Sequence, residues 1–398
     1  MTAQEVDAAF GVEEQDALRA VVREFVRTEM LPLERTVQDL EASRGLASTP
    51  VIPPEAYERL LGEARKRDLW GLDVPVEYGG QELGMVGKMI AVEELNRSIV
   101  PFRLPPESPN LWLLVNYCTD YQRERWVEPY ARGELRASLA LTETEAGSDA
   151  AAIRSTATKC DGGWRLNGTK QFISWADVAN FFIVIAWTDR DKPASGGISA
   201  FIVDQQTPGL TVGRHMSTMG EPTPFEVVFD DCFVPDENVL GEVGAGFRPM
   251  AGRLDTRRIE MAARCVGMAE RCIELMVEQA KNRKTFGQPL ADRQIVQTWI
   301  ADSEIDVHAT RLMVMDAAAR RDAGAPNVRR QASMCKVFGT EMITRVVDRT
   351  LQLYGGMGFS KDLPIEYIYR NSRFLRVLEG ASEIHRITLA TLRLKAAP

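Results

Sequence analysis

The sequence predicts an α+β multidomain protein: a helical N-terminal domain, a middle antiparallel β-barrel-like domain and a C-terminal four-helix bundle. Three observations carry that prediction. Apolar residues recur at helical spacing up to about residue 135, short β-type runs fill about 136–240, and helical spacing returns after Gly246. The 398 residues suit two or three domains of about 100–200 residues each. Boundaries are expected at 1–135, 136–245 and 246–398.

In the first part, Ala17, Val21, Val22, Phe25 and Met30 make an apolar stripe ahead of Pro32. Ala56, Leu60, Leu61 and Ala64 make another after Pro53-Pro54, and residues 89–95 a third. The stretch from Pro101 to Pro109 reads as an irregular linker. In the middle part, Asp161-Gly162-Gly163 is a turn signal. Residues 164–166 and 170–173 read as strands separated by Asn167-Gly168, a hairpin dipeptide. Runs at 181–187, 198–203, 210–212 and 225–229 complete a set that suits a small barrel or sandwich. In the last part, one helix covers about 259–280 and a second carries Ile295, Trp299, Ile305 and Leu312. A third runs from about Pro326, in its first turn, to Tyr354, where Gly355-Gly356 stops it. A fourth holds Ile384, Ile387, Leu389 and Leu392.

Composition narrows the function classes. Net charge is −8, which argues against nucleic-acid binding through a basic field. The longest apolar run, 181–187, is far too short for a membrane span. Glu5, Asp7, Glu13, Glu14 and Asp16 suit neither a signal nor a transit peptide, so a cytoplasmic protein is expected. Six scattered cysteines without a C-x-x-C pair, and only three histidines, give no metal-ligand spacing. The thiols read as buried and reduced. Scarce histidine leaves acid–base chemistry to a carboxylate.

Four stretches could carry chemistry, and each has a plain structural alternative. Small and hydroxylic residues at 140–149 would let backbone N–H groups approach a ligand, or would form a surface turn. Arg283, Lys284 and Gly287 could meet a pyrophosphate, or cap a helix. Gly355, Gly356 and Gly358 beside Gln352 could hug a cofactor, or simply end a helix. Glu379, flanked by Phe374, Leu375, Val377 and Leu378, would have its charged form disfavoured in an apolar setting, as a base working near neutrality requires, or would be a solvated residue before a helix.

Together these stretches resemble the acyl-CoA dehydrogenase family of flavoproteins. The resemblance covers nearly the whole chain and is strongest over 140–184 and 252–387. One family signature is met throughout 140–152. The second, starting at Gln352-Leu353-Tyr354-Gly355-Gly356, holds except that Tyr367 stands where a basic residue is expected. The resemblance implies the acyl-CoA dehydrogenase fold and an FAD lying between β-domain and bundle, reached also by a second subunit of a homotetramer or homodimer. It places Leu141, Thr142, Gly147 and Ser148 in the flavin or acyl pocket, and Phe172 and Ser174 beside the isoalloxazine. Arg283, Thr285, Phe286, Gln294, Gln352, Gly355 and Gly356 would reach a neighbour's FAD, and Gly380 and Glu383 would lie near the cofactor. Asp255, Arg258 and Ser148 fall at acyl-CoA contacts.

Glu379 falls on the catalytic base. By the same resemblance it takes the α-proton of an acyl-CoA, the thioester oxygen meets the base's own N–H and a ribityl hydroxyl, and hydride passes from Cβ to flavin N5. Electrons would go to an electron-transfer flavoprotein, within fatty acid metabolism. Arg257 occupies an alternative base position and cannot serve there. Glu260, one turn on, is a decoy expected to face solvent or a partner helix. Ala381 and Glu383 replace residues that often contact FAD, while Leu378 and Phe172 stand where many members have tyrosine and tryptophan. An enoyl-CoA reductase, an acyl-CoA oxidase and a flavin-bearing binding protein that lost dehydrogenation are the competing readings.

Overall fold

The computed structural model describes residues 11–43, 52–220 and 224–396; Glu5 and Asp7 lie outside that set. The first part holds α1 (Val12–Phe25), α2 (Glu34–Ser43), α3 (Pro54–Lys66), α4 (Gly84–Leu95) and α5 (Ser108–Tyr117). α3 begins on Pro54, whose missing N–H would have no partner in a first turn anyway. The proline-rich linker is shorter than expected, because Ser108 and Pro109 already form the first turn of α5.

Eight strands follow: β1 (Ala137–Ala140), β2 (Thr156–Cys160), β3 (Gly163–Ser174), β4 (Phe181–Trp187), β5 (Ile198–Asp204), β6 (Leu210–His215), β7 (Pro224–Pro235) and β8 (Val239–Leu240). They form one sheet in the order β6-β7-β3-β2-β4-β5-β8, with β1 also pairing β4. The expectation of an antiparallel sheet is corrected at two strand pairings. β1 and β2 both run parallel to β4, and neither strand was foreseen.

A second correction concerns Asn167-Gly168. It does not turn the chain. β3 runs straight through it, and the register against β7 shifts between Leu166 and Gly168, which marks a bulge. A Cβ at Gly168 would lie 2.2 Å from Ser155 Oγ, so the glycine serves a close approach to the neighbouring chain. The turn into β3 is made by Asp161 and Gly162, the latter at φ 68°. The unbroken apolar run of β4 has a simple cause: both its faces are buried. Phe181, Ile183 and Ile185 pack with α5 residues Leu111, Leu113 and Leu114, while Phe182, Val184 and Ala186 pack with Leu166, Ile173 and Val227 of the sheet.

The last part contains α6 (Phe247–Asn282), α7 (Gln294–Asp322), α8 (Arg329–Tyr354), α9 (Pro364–Leu375) and α10 (Ser382–Lys395). Between α6 and α7 lies a small hairpin of β9 (Lys284–Thr285) and β10 (Gln288–Pro289). α8 starts at Arg329, so Pro326 precedes the helix instead of sitting in its first turn. α9 was missed, and its buried Ile365, Tyr367, Ile368 and Leu375 join the bundle core. That core is continuous with the N-terminal helices through Phe25, Leu60, Met261 and Met342. α4 lies against α1, α6 and α7, so residues from Gly87 to Leu95 are all buried. No helix of the described residues is long and apolar enough to cross a membrane.

Candidate active site

α9 and α10 are joined by a tight turn, and Glu379 sits in it at φ 55°, the left-handed region that residues other than glycine rarely adopt. Three groups fix that turn. The Glu379 carbonyl accepts from Arg258 Nε at 3.1 Å and lies 3.1 Å from His385 Nε2. The other ring nitrogen, Nδ1, is 3.1 Å from Ser333 Oγ. A carbonyl can only accept, so Nε2 carries the hydrogen and Ser333 donates to Nδ1. Burial, reinforced by Arg258, pushes the His385 imidazole down to about 4 and keeps it neutral. The N–H of Glu379 itself is donated to no group among the described residues.

The side chain of Glu379 corrects the expectation of an apolar setting. It turns toward α6, where Arg253 Nη1 lies 3.7 Å from Oε2 and Arg257 Nε lies 3.9 Å from Oε1. The apolar flank goes elsewhere: Leu375 is buried, Phe374 and Leu378 pack on the same core, and Val377 is exposed. Of the two settings expected for Glu260, solvent or a partner helix, the structure removes the first. Glu260 is buried at 6 % exposure and accepts from Arg257 Nη1 at 2.7 Å, rather than facing solvent. Its second oxygen, Oε2, has no hydrogen-bond partner among the described residues.

Asp255 is buried and paired with Arg258 at 2.8 Å, so both candidate acyl-CoA contacts help to hold the Glu379 turn. Beyond them, Glu107 pairs with Arg103 and interacts with Arg257 and Arg253. Burial pushes the Glu107 carboxyl up, but these arginines outweigh it and bring it down to about 2. Arg103, Glu107 and Glu260 line a cavity of about 60 Å³ whose other walls include Leu95, Ile99, Phe102 and Met268. Arg103, Glu107, Arg253 and His385 were not singled out from the sequence as site residues. The available signal was the i, i+4 spacing of Arg253 and Arg257, which puts both on one helix face.

The remaining candidates form two groups. In the first, Leu141 and Thr142 follow β1 on a loop organised by a buried ion pair. Lys170 Nζ donates to Glu143 Oε1 at 2.8 Å, to the Leu141 carbonyl at 3.1 Å and to the Ile185 carbonyl at 2.7 Å. Glu143 also accepts from Ser155 Oγ at 2.6 Å, and Gln171 N–H donates to the Thr142 carbonyl at 2.8 Å. Gly147 and Ser148 are exposed on the same loop, and Ser174 is half-buried. Phe172 is 53 % exposed at φ 57°. In the second group, Arg283, Thr285 and Phe286 lie on the β9–β10 hairpin, with Gln294 opening α7. Phe286 is 99 % exposed, at φ 50°. Gln352, Gly355 and Gly356 are exposed where α8 ends. No hydrogen bond joins the hairpin to this glycine turn among the described residues. Gly380 and Glu383 flank the start of α10.

These surfaces fit a flat aromatic ring with a long polar tail. Nothing lies within 4 Å of where a Cβ would stand on Gly147, Gly287 or Gly355. The hydroxyls of Thr142, Ser148 and Ser174 make no hydrogen bond among the described residues, so they are open to a ligand.

Residues 12–134, 138–232 and 244–392 match, respectively, the N-terminal, middle and C-terminal domains of acyl-CoA dehydrogenase. The chain belongs to the acyl-CoA dehydrogenase family. It is an FAD-dependent oxidoreductase with that family's fold. Among its relatives, (R)-benzylsuccinyl-CoA dehydrogenase of Thauera aromatica is 43 % identical over 95 % of each chain. Acryloyl-CoA reductase (NADH) of Anaerotignum propionicum is 34 % identical, over 95 % of this chain and 93 % of its own. The solved butyryl-CoA dehydrogenase of Megasphaera elsdenii superposes with a TM-score of 0.86 at 30 % identity, covering 96 % of this chain and 98 % of that one.

Proposed function

We propose that this family member is an acyl-CoA dehydrogenase that removes hydrogen across the α,β bond of a thioester, with Glu379 as the base. The observation that supports it most is the held turn: Arg258 and His385 both bind the Glu379 carbonyl, while the carboxylate and the N–H of the same residue make no hydrogen bond among the described residues. A thioester α-proton is weakly acidic. Its removal needs a carboxylate already in position and a donor for the charge that develops on the carbonyl oxygen. Glu379 can supply both, the side chain to the α-carbon and the N–H to the oxygen. FAD, when bound, supplies the acceptor for the hydride that leaves Cβ. Thr142, Ser148, Phe172 and Ser174 would hold it from the β-domain. Arg283, Thr285, Phe286, Gln294, Gln352, Gly355 and Gly356 would hold the FAD of a second subunit in a homodimer or homotetramer, which accounts for an aromatic as exposed as Phe286. Gly380 and Glu383 complete the set. The domain limits follow as 1–135, 136–245 and 246–398.

Electrons would leave for an electron-transfer flavoprotein. The acyl groups in the relatives' names differ from one another, and one relative is named a reductase, so neither acyl group nor direction is carried over from them. The test is anaerobic flavin bleaching across straight, branched, aromatic and carboxylated acyl-CoA thioesters, followed by reoxidation with air or with a transfer flavoprotein. Bleaching by at least one saturated thioester, with reoxidation faster by the transfer protein, is expected. Bleaching by none of them refutes the dehydrogenase reading.

A further inference from the structure

The buried acids described beside Glu379 each have a cation of their own. Asp255 is paired with Arg258, Glu107 with Arg103, and Glu260 with Arg257. Arg253 is the cation left over. It is buried at 7 % exposure, and its one hydrogen bond among the described residues goes from Nε to the neutral Oδ1 of Asn110 at 2.9 Å. Its nearest counter-charge is Glu379 itself, at 3.7 Å, too far for a hydrogen bond. Arg257 Nε lies 3.9 Å from the same carboxylate, while its Nη1 is hydrogen-bonded to Glu260.

We propose that Arg253 and Arg257 form a receiving site for a second carboxylate on the acyl group, so that the substrate is a short dicarboxylic acid joined to CoA at one end. This rests on the reading of Glu379 as the base. When Glu379 takes a proton it becomes neutral, and Arg253 loses its nearest counter-charge and keeps only the longer-range attraction of Glu107, which is unfavourable for a buried cation. A carboxylate on the substrate removes that penalty. A planar guanidinium also takes it at two points. A reacting carbon lies about 3–3.5 Å from the base oxygen, and each guanidinium lies within 4 Å of one oxygen of that carboxylate. An acid group one or two carbons from the reacting bond meets them. Binding is the whole of the step.

The test compares pairs that differ only by carboxylate against methyl, using the FAD-loaded protein: succinyl-CoA with butyryl-CoA, and glutaryl-CoA with pentanoyl-CoA. The readouts are the rate constant of anaerobic bleaching and, without turnover, the Kd measured by calorimetry on the Glu379→Gln protein. The acidic member of at least one pair is expected to win by about 100-fold in both readouts. Arg253→Met should bring that ratio toward one, and Arg253→Lys should restore part of it. Equal or better handling of the neutral members by the wild type overturns the proposal, whether or not the variants fold. So does a loss in Arg253→Met that falls equally on both members, which would give the arginine to CoA or to the developing enolate. If no thioester bleaches the flavin, the dehydrogenase reading fails, and the Kd comparison still decides the carboxylate site.

Discussion

Acid should loosen the turn that carries Glu379, and the effect can be worked out from His385. The imidazole is 2 % exposed, between Ser333 and the Glu379 carbonyl, and is held at about 4 against an ordinary 6.5. Between those two values the unfolded chain binds the proton and the folded chain does not. Stability from this group is therefore present above pH 6.5 and is lost as pH falls toward 4. From pH 7 to pH 5 the loss is about 2 kcal/mol, or roughly 2 °C in thermal midpoint for a chain of this size. Other groups titrate in the same range, so the comparison needs a partner that lacks only this proton. His385→Gln keeps a neutral donor toward the carbonyl and cannot be protonated. The midpoints of wild type and His385→Gln, each loaded with FAD, should differ by about 2 °C more at pH 7 than at pH 5. Parallel pH dependence in the two proteins would remove His385 from this role.

Three further outcomes follow from the same geometry. Lys170→Met leaves Glu143 charged and buried and two carbonyls without a donor, and should cost about 3–5 kcal/mol, read as a lower thermal midpoint and weaker flavin retention; an unchanged midpoint would contradict it. Gly267→Ala puts a Cβ 1.9 Å from the Glu93 carbonyl where α6 crosses α4, so soluble yield should collapse, and a normally folded variant would show that the helices can part at little cost. Arg283→Ala should lose flavin on dialysis and should weaken assembly, judged by absorbance and by sedimentation; full flavin content would remove Arg283 from cofactor binding.

Much of this arrangement is legible in the sequence because the local signals agree with the global ones. The stripe around Phe25 and the stop at Gly355-Gly356 each report a periodicity or a cap. The misses have physical causes. Asn167-Gly168 has the composition of a hairpin turn, but the packing of β3 against Ser155 uses its glycine for clearance. β1 is four residues long and pairs in parallel, which leaves no alternating pattern to read. The cationic setting of Glu379 is harder still. Arg253 and Arg257 lie on α6 whereas Arg103 precedes α5, and only folding brings Arg103 and Glu107 to the same cavity as Glu260. The local flank of Glu379 pointed to an apolar pocket, whereas its left-handed backbone turns the carboxylate toward α6.

The most direct measurement is anaerobic mixing of Glu379→Gln, loaded with FAD, with the thioester that reduces the wild type fastest. The amide keeps the size and the neighbours of the side chain but cannot accept the α-proton. Bleaching is expected to slow by at least about 100-fold while the flavin and the thioester both remain bound. A variant that bleaches as fast as the wild type would show that some other group takes the proton.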